Sequence, residues 1–237
     1  MTLLIVQTGS APAELRASIG DFPDWFRQAL RLNGERVRVI DVQNGAALPR
    51  PRDVAAAIVT GSAAMVTHRL DWSERTAQWL VDAVKRELPV LGVCYGHQLL
   101  AHALGGRVED HPRGREIGTV SIDCTPQAAR DDLFGSADAF VAQATHVQTV
   151  TRLPADATVL ARSAHDAHQA VRYARRAWGL QFHPEFPVAA MRGYLRLRAD
   201  ALQREGLDAA RLSGAVRPSP RARALLRRFL RVAGVAS

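Results

Sequence analysis

The sequence has only two cysteines in 237 residues, Cys94 and Cys124, and they lie far apart. Two distant thiols do not make a disulfide framework, and the count fits a reducing compartment, so a cytoplasmic location is expected. Lysine is almost missing as well: Lys85 is the only one, and the net charge of +8 is carried by arginine. Those arginines interleave with aspartate and glutamate along the whole chain. With aromatics at only 6%, they do not form the basic, aromatic-studded surface of a nucleic-acid binder. No uninterrupted apolar run approaches the roughly 20 residues of a membrane-spanning helix. The first residues, Met1 to Gln7, carry no basic segment and no small-residue cleavage site, and read as a strand. His97, His102, His111, His165 and His168 are scattered without ligand spacing, so neither a metal nor a cofactor is expected.

What is present is an ordinary globular composition, 47% hydrophobic and 23% charged, on a chain long enough to bury a sizeable core. Leu3 to Val6, Val37 to Asp41, Ala55 to Thr60 and Pro89 to Val93 read as strands. The spacing predicts helices over Asp24 to Asn33, ending at Gly34, from Asp71 through Val84, and from about Tyr95 to Leu104, ending at Gly105-Gly106. Strands alternating with helices imply parallel βαβ units with helices on both faces. The fold class expected is therefore α/β, a doubly wound, mostly parallel, flavodoxin-like sheet. Shorter runs at Gly118 to Asp123, Ala139 to Ala142, Thr158 to Arg162, Gln169 to Tyr173 and Ala177 to Gln181 read as further strands and hairpins. After Pro187 the chain turns helical to about Glu205. A last helix follows Pro218-Ser219-Pro220, with Leu225, Leu226, Phe229 and Leu230 opposed to Arg223, Arg227 and Arg231. No repeat or linker divides the chain. The expectation is one domain over residues 1–237, with 188–237 a helical extension packed on it.

The segment Gly92-Val93-Cys94-Tyr95-Gly96 sits where an apolar strand meets a helix. A turn this tight excludes side chains at the flanking positions, holds its central residue in a strained backbone, and sets it over a helix N-terminus that favours a thiolate. A free cysteine is more often a buried structural residue. Here strand, paired glycines and helix agree on a nucleophile, whereas Cys124, in Ile122-Asp123-Cys124-Thr125-Pro126, has no such context.

The run Leu91-Gly92-Val93-Cys94-Tyr95-Gly96-His97-Gln98-Leu99-Leu100 resembles the active-site segment of class I glutamine amidotransferases, in a version close to the amidotransferase domain of GMP synthase. Trp178-Gly179-Leu180-Gln181-Phe182-His183-Pro184-Glu185-Phe186 resembles the His-Pro-Glu segment of the same family, and Ile58-Val59-Thr60-Gly61-Ser62 its oxyanion strand. Arg115-Glu116-Ile117-Gly118 and Ala144-Thr145-His146 echo weaker family features. Elbow and His-Pro-Glu in this order and separation are specific.

The resemblance implies a Cys94, His183, Glu185 triad that hydrolyses glutamine or another γ-glutamyl amide through a thioester. His183 would move the protons, and Glu185, two residues on, would orient its ring. It implies an oxyanion hole of the Tyr95 and Gly61 backbone amides, with Gly61-Ser62 where the family often has Gly-Gly. It also implies substrate contacts from Gln98 and from His146, although Thr145-His146-Val147-Gln148 lacks the glycine and aspartate of the family's Ser-His-Gly-Asp. Nothing resembles a phosphate-binding loop, so the resemblance implies either a synthetase partner holding the acceptor site in trans or a chain that works alone. The alternatives are a γ-glutamyl peptidase and, less favoured by the composition, a non-catalytic nucleic-acid-binding module. The DJ-1/PfpI-like proteins, which also use a cysteine elbow, typically place His directly after the Cys, where this chain has Tyr95.

Overall fold

Unbroken apolar runs make strands that can be buried on both faces, and four such runs form the centre of the sheet. In the computed structural model, which describes residues 2–32 and 36–235, these are β1 (Leu3–Gln7), β3 (Ala56–Val59), β4 (Val90–Val93) and β11 (Ala177–Leu180). They are flanked on one side by the edge strand β2 (Val37–Asp41), where buried Val37 is followed by exposed Arg38. On the other side come β10 (Ala170–Ala174), β9 (Thr158–Arg162), β6 (Glu116–Cys124) and β7 (Phe140–His146), giving nine strands in the order β2-β1-β3-β4-β11-β10-β9-β6-β7. Neighbours from β2 to β11 run parallel, and those from β11 to β7 run antiparallel. The expected α/β sheet is thus present, its parallel half built by the N-terminal βα units and its antiparallel half by the hairpin-like runs of the second half.

Successive strand residues point to opposite faces, so each central strand feeds two cores. Leu3, Ile5, Ile58, Leu91 and Val93 pack with α2 (Phe22–Leu30) and α8 (Pro220–Ala233). Leu4, Val6, Ala57, Val59 and Val90 pack with α3 (Asp71–Lys85) and α4 (Tyr95–Ala103). A third cluster joins α1 (Ala13–Ile19) to α5 (Val188–Leu197) through Leu15, Met191 and Leu195. α6 (Ala199–Arg204) and α7 (Ala209–Ala215) complete the helices.

Several elements depart from the sequence reading. α2 starts before Asp24 because Asp21, not Asp24, is its cap: the Asp21 side chain accepts from the helix while Asp24 reaches back to the Asp21 amide. It runs to Leu30, with Arg31 left-handed at φ 58, and the Asn33–Gly34 stop lies outside the described residues. The short helices α1 and α7 and the two-stranded sheet of β5 (Arg107–Asp110) with β8 (Gln148–Arg152) have no counterpart in the sequence pattern. β5 buries only Val108, so it carries no periodic signal.

The apolar stripe of α8 is buried as its spacing requires: Leu226 and Phe229 are fully covered, and Phe229 meets Trp178 of β11 edge-on at 6.4 Å. Phe229→Ala should therefore lower unfolding stability by about 3–5 kcal/mol in denaturant titration. Replacing exposed Arg227 and Arg231 by glutamine should change it by no more than about 0.5 kcal/mol. Equal effects would contradict this packing.

Candidate active site

β4 ends at Val93, α4 begins at Tyr95, and Cys94 between them is held at φ 52, ψ −104. That conformation is costly for a residue with a side chain and persists only where the surroundings impose it. Here the Cys94 amide donates to the Leu180 carbonyl at 2.7 Å, Gly96 donates to Thr60 at 3.1 Å, and Gln98 donates back to Cys94 at 3.1 Å. Glycine is required on both sides: a β-carbon at Gly92 would strike the Gly96 carbonyl, and one at Gly96 the Val59 carbonyl. The result is a sulfur that is buried yet borders two clefts.

β11 runs parallel to β4 in register Leu180 to Val93, which carries the chain beyond Leu180 to the same end of the sheet as Cys94. The His183 amide donates to the Gln143 carbonyl of β7 at 2.7 Å, fixing the backbone there. The His183 Nδ1 lies 2.7 Å from Glu185 Oε1, and both side chains are almost fully buried. Phe186 stacks on the imidazole at 4.0 Å between ring centres, and Phe22 lies nearly parallel to it at 6.4 Å. With Nδ1 turned to the carboxylate, the other edge of the ring is left for the Cys94 side of the site, where the thiol lies 3.9 Å from the Thr145 carbonyl. Burial pushes the Cys94 thiol up, but the positive charge of His183 beside it outweighs that and leaves the thiol below its ordinary value. Burial pulls His183 down, and Glu185 and Cys94 overcome that, raising it to about 10. Both shifts favour a thiolate–imidazolium pair.

Gly61 meets this pair directly: a β-carbon there would come within 2.9 Å of His183 Cε1 and 3.7 Å of the Cys94 β-carbon. Among the described residues, the amides of Gly61, Ser62 and Tyr95 donate to no protein acceptor. The Gly61 carbonyl accepts from the Thr8 and Thr60 hydroxyls at 3.1 and 3.0 Å, so the Ser62 amide of the same trans peptide faces the opposite way. Ser62, not Gly61, lines both clefts beside Cys94, a placement the sequence did not signal.

Gln98 lines one of these clefts, but its Nε2 is engaged by the Gln148 carbonyl at 2.8 Å and Gln181 Oε1 at 2.9 Å, leaving its oxygen as the free end. His146 borders the same cleft, with both ring nitrogens held: Nδ1 3.0 Å from the Gln148 carbonyl and Nε2 2.9 Å from Glu116 Oε2. Two acceptors require two protons, so His146 is an imidazolium, its pKa raised despite burial by Glu116 and Asp166. Its positive charge lowers the Cys94 thiol further. Glu116 and His146 stand directly opposite each other in the β6–β7 ladder. Cys124 is remote from all of this, and burial pushes its thiol up to about 11. Among the described residues, no group of three or more His, Cys, Asp or Glu side chains could hold a metal ion. No helix among them is long and apolar enough to cross a membrane.

The family model for glutamine amidotransferase class-I matches residues 21–196, and the chain belongs to that family. It is 34% identical over 141 residues to a GMP synthase (glutamine-hydrolyzing) of Aeropyrum pernix, covering 60% of this chain and 25% of that protein. It is 40% identical over 102 residues to the protein of the same name from Bacillus subtilis, covering 42% of this chain and 19% of the other. The chain thus spans about a quarter or less of the length of these relatives. Two solved structures match nearly end to end. A glutamine amidotransferase from Thermotoga maritima has a TM-score of 0.77 at 24% identity, covering 100% of this chain and 99% of that one. One from Methylobacillus flagellatus has 0.75 at 25%, covering 99% and 93%.

The opposed thiol shifts are directly measurable. In alkylation followed by peptide mass spectrometry across pH, Cys94 should react below its ordinary pKa of 9.0, and Cys124 only as the pH approaches about 11. The reverse order would contradict the electrostatics described.

Proposed function

We propose that the chain hydrolyses the side-chain amide of glutamine to glutamate and ammonia, with Cys94 as nucleophile. The observation that carries the reading is the strained, glycine-flanked Cys94 with the His183–Glu185 pair at its sulfur. The thiolate adds to the amide carbon, and His183 delivers a proton to the departing nitrogen, since an amide does not expel an unprotonated amine. Water then hydrolyses the γ-glutamyl thioester, with His183 taking its proton. Glu185 keeps the imidazolium stable and correctly turned without itself moving a proton. The oxyanion receives the Tyr95 amide and an amide of the Gly61–Ser62 loop, Ser62 being the better aimed of the two. Gln98 contributes its free oxygen to the substrate cleft. His146, with both ring protons committed to the protein, acts there as a fixed charge.

The synthetase site that would use the ammonia we assign to a partner chain, the role suggested by relatives named GMP synthase. We further propose that residues 1–237 act as one unit, in which the helices of 188–237 brace the His183 side of the site. Tyr194 stacks on Phe186 at 5.3 Å in support of this.

Cys94→Ala and His183→Ala should each lower glutaminase kcat by about 10⁴-fold or more, while Glu185→Gln retains measurable turnover. In the wild type, kcat/KM should rise with pH as the Cys94 thiol ionises, at a pH below 9.0, and fall as His183 loses its proton near 10. Glu185→Gln removes a carboxylate that raises His183, so the alkaline limb should move to lower pH. Full turnover in a folded Cys94→Ala protein, or an unmoved limb in Glu185→Gln, would defeat this reading.

A further inference from the structure

The strands that lead to Gly61, Cys94 and His183 at one end of the sheet all start at the other end, and a cavity of about 720 Å³ opens there. Ala55, Pro89 and Arg176 line it, each standing one residue before β3, β4 or β11. The turn Arg86-Glu87-Leu88 after α3 and the end of α8 at Ala233 close its sides. Pockets that take small molecules run to roughly 300–1,000 Å³, so this one has the volume for a metabolite. It shares no lining residue with the two clefts at Cys94.

Its charge is of one sign. Arg36, Arg52, Arg86 and Arg176 meet there with a single carboxylate, Glu87, which Arg175 holds from outside the cavity at 3.1 Å. Elsewhere on the surface Arg50 sits with Asp53, Arg196 with Glu14 and Arg221 with Asp138. The cavity breaks that pattern. Arg52 lies 3.9 Å from Asp53, which Arg50 already holds at 2.9 Å. Arg86 and Arg176 form no ion pair with a carboxylate among the described residues. Arg176 spends one Nη on the Val232 carbonyl at 2.8 Å. Like charges gathered round a concavity focus a positive potential into it, and an anion relieves their repulsion. Guanidinium forks fit the paired oxygens of a phosphoryl group. Between the arginines the wall is apolar, with Val54, Leu88, Pro89 and Val235, a surface that suits a carbon body and does nothing for a bare ion.

We infer that this cavity binds an organic phosphate, the phosphoryl group held by Arg52, Arg86 and Arg176 and the carbon body lying against Val54, Leu88 and Pro89. The site is separate from the chemistry at Cys94 and does not depend on which amide is cleaved there.

AMP serves as the probe, titrated into the full chain by calorimetry at about 0.15 M salt, with inorganic phosphate and adenosine beside it. Wild type should bind AMP saturably, at least about tenfold more tightly than either, because each lacks one of the two contacts. Arg52→Gln with Arg86→Gln should weaken AMP roughly 10- to 100-fold, as expected for lost hydrogen bonds to a charged group. Arg86→Lys, which keeps the charge and loses the fork, should fall between. Arg227→Gln with Arg231→Gln removes the same charge from the outer face of α8 and should change the Kd by less than about twofold. All four arginines are exposed, so both paired variants should unfold at the wild-type denaturant midpoint in the absence of AMP. Three results would overturn the inference: no saturable AMP binding by wild type, phosphate bound as tightly as AMP, or an equal loss in the two paired variants, which would reduce the effect to the net charge of the chain. Binding of poly-glutamate at this face in place of AMP would assign it to an acidic protein segment and overturn it as well.

Discussion

The left-handed turn at Cys94 is the constraint from which the rest of the site follows. A side chain at φ 52 costs on the order of 1–3 kcal/mol, and no local preference of cysteine offsets that. The sheet does so instead. The Leu180 carbonyl holds the Cys94 amide, Thr60 holds Gly96, and β-carbons are excluded from Gly92 and Gly96 because neighbouring backbone occupies their place. The same two neighbouring strands, β3 and β11, lead directly into Gly61–Ser62 and His183. One backbone arrangement thus fixes the Cys94 thiol, the Gly61–Ser62 loop and the His183 imidazole together. This is why the site sits at the ends of parallel strands, where an open α/β sheet gathers its loops.

Charge is arranged with the same economy. The burial that shapes the turn would by itself keep Cys94 a neutral thiol. Two imidazolium groups, each held by its own buried glutamate, reverse that preference. His183 is supplied with Glu185 from two residues along the chain, and His146 with Glu116 from across a hydrogen-bonded ladder. Of the two, only His183 has a nitrogen left over for chemistry. A pair of such units in a low-dielectric setting makes the site more sensitive to the loss of a carboxylate than a solvent-exposed arrangement would be.

The sequence carries some of this plainly and some not at all. The buried strands, the glycine-flanked elbow and the His-Pro-Glu segment are contiguous, and each announces itself by local pattern. The elbow needs glycine where backbone meets backbone, and β4 and β11 need apolar residues on both faces. Glu116 with His146 is a different case: the two are brought together only by the register of β6 against β7, and no local signal fixes that register. Ser62 carries no signal, because a backbone donor leaves no mark on residue choice. Arg52, Arg86 and Arg176 are three arginines among many in the sequence, and only the fold brings them round one cavity. β5 and α1 went unseen because each buries a single residue, Val108 and Leu15.

Inactivation by a diazoketone analogue of glutamine, followed by peptide mapping, probes the site most directly. The carbon electrophile must lie where the amide carbon would, and the thiol it meets is recorded covalently. If the turn, the imidazolium groups and the cleft lined by Gln98 act together as described, one equivalent adds at Cys94, glutamine slows the addition, and Cys124 stays free. Addition at Cys124, or modification of Cys94 at a rate glutamine does not affect, would contradict the account.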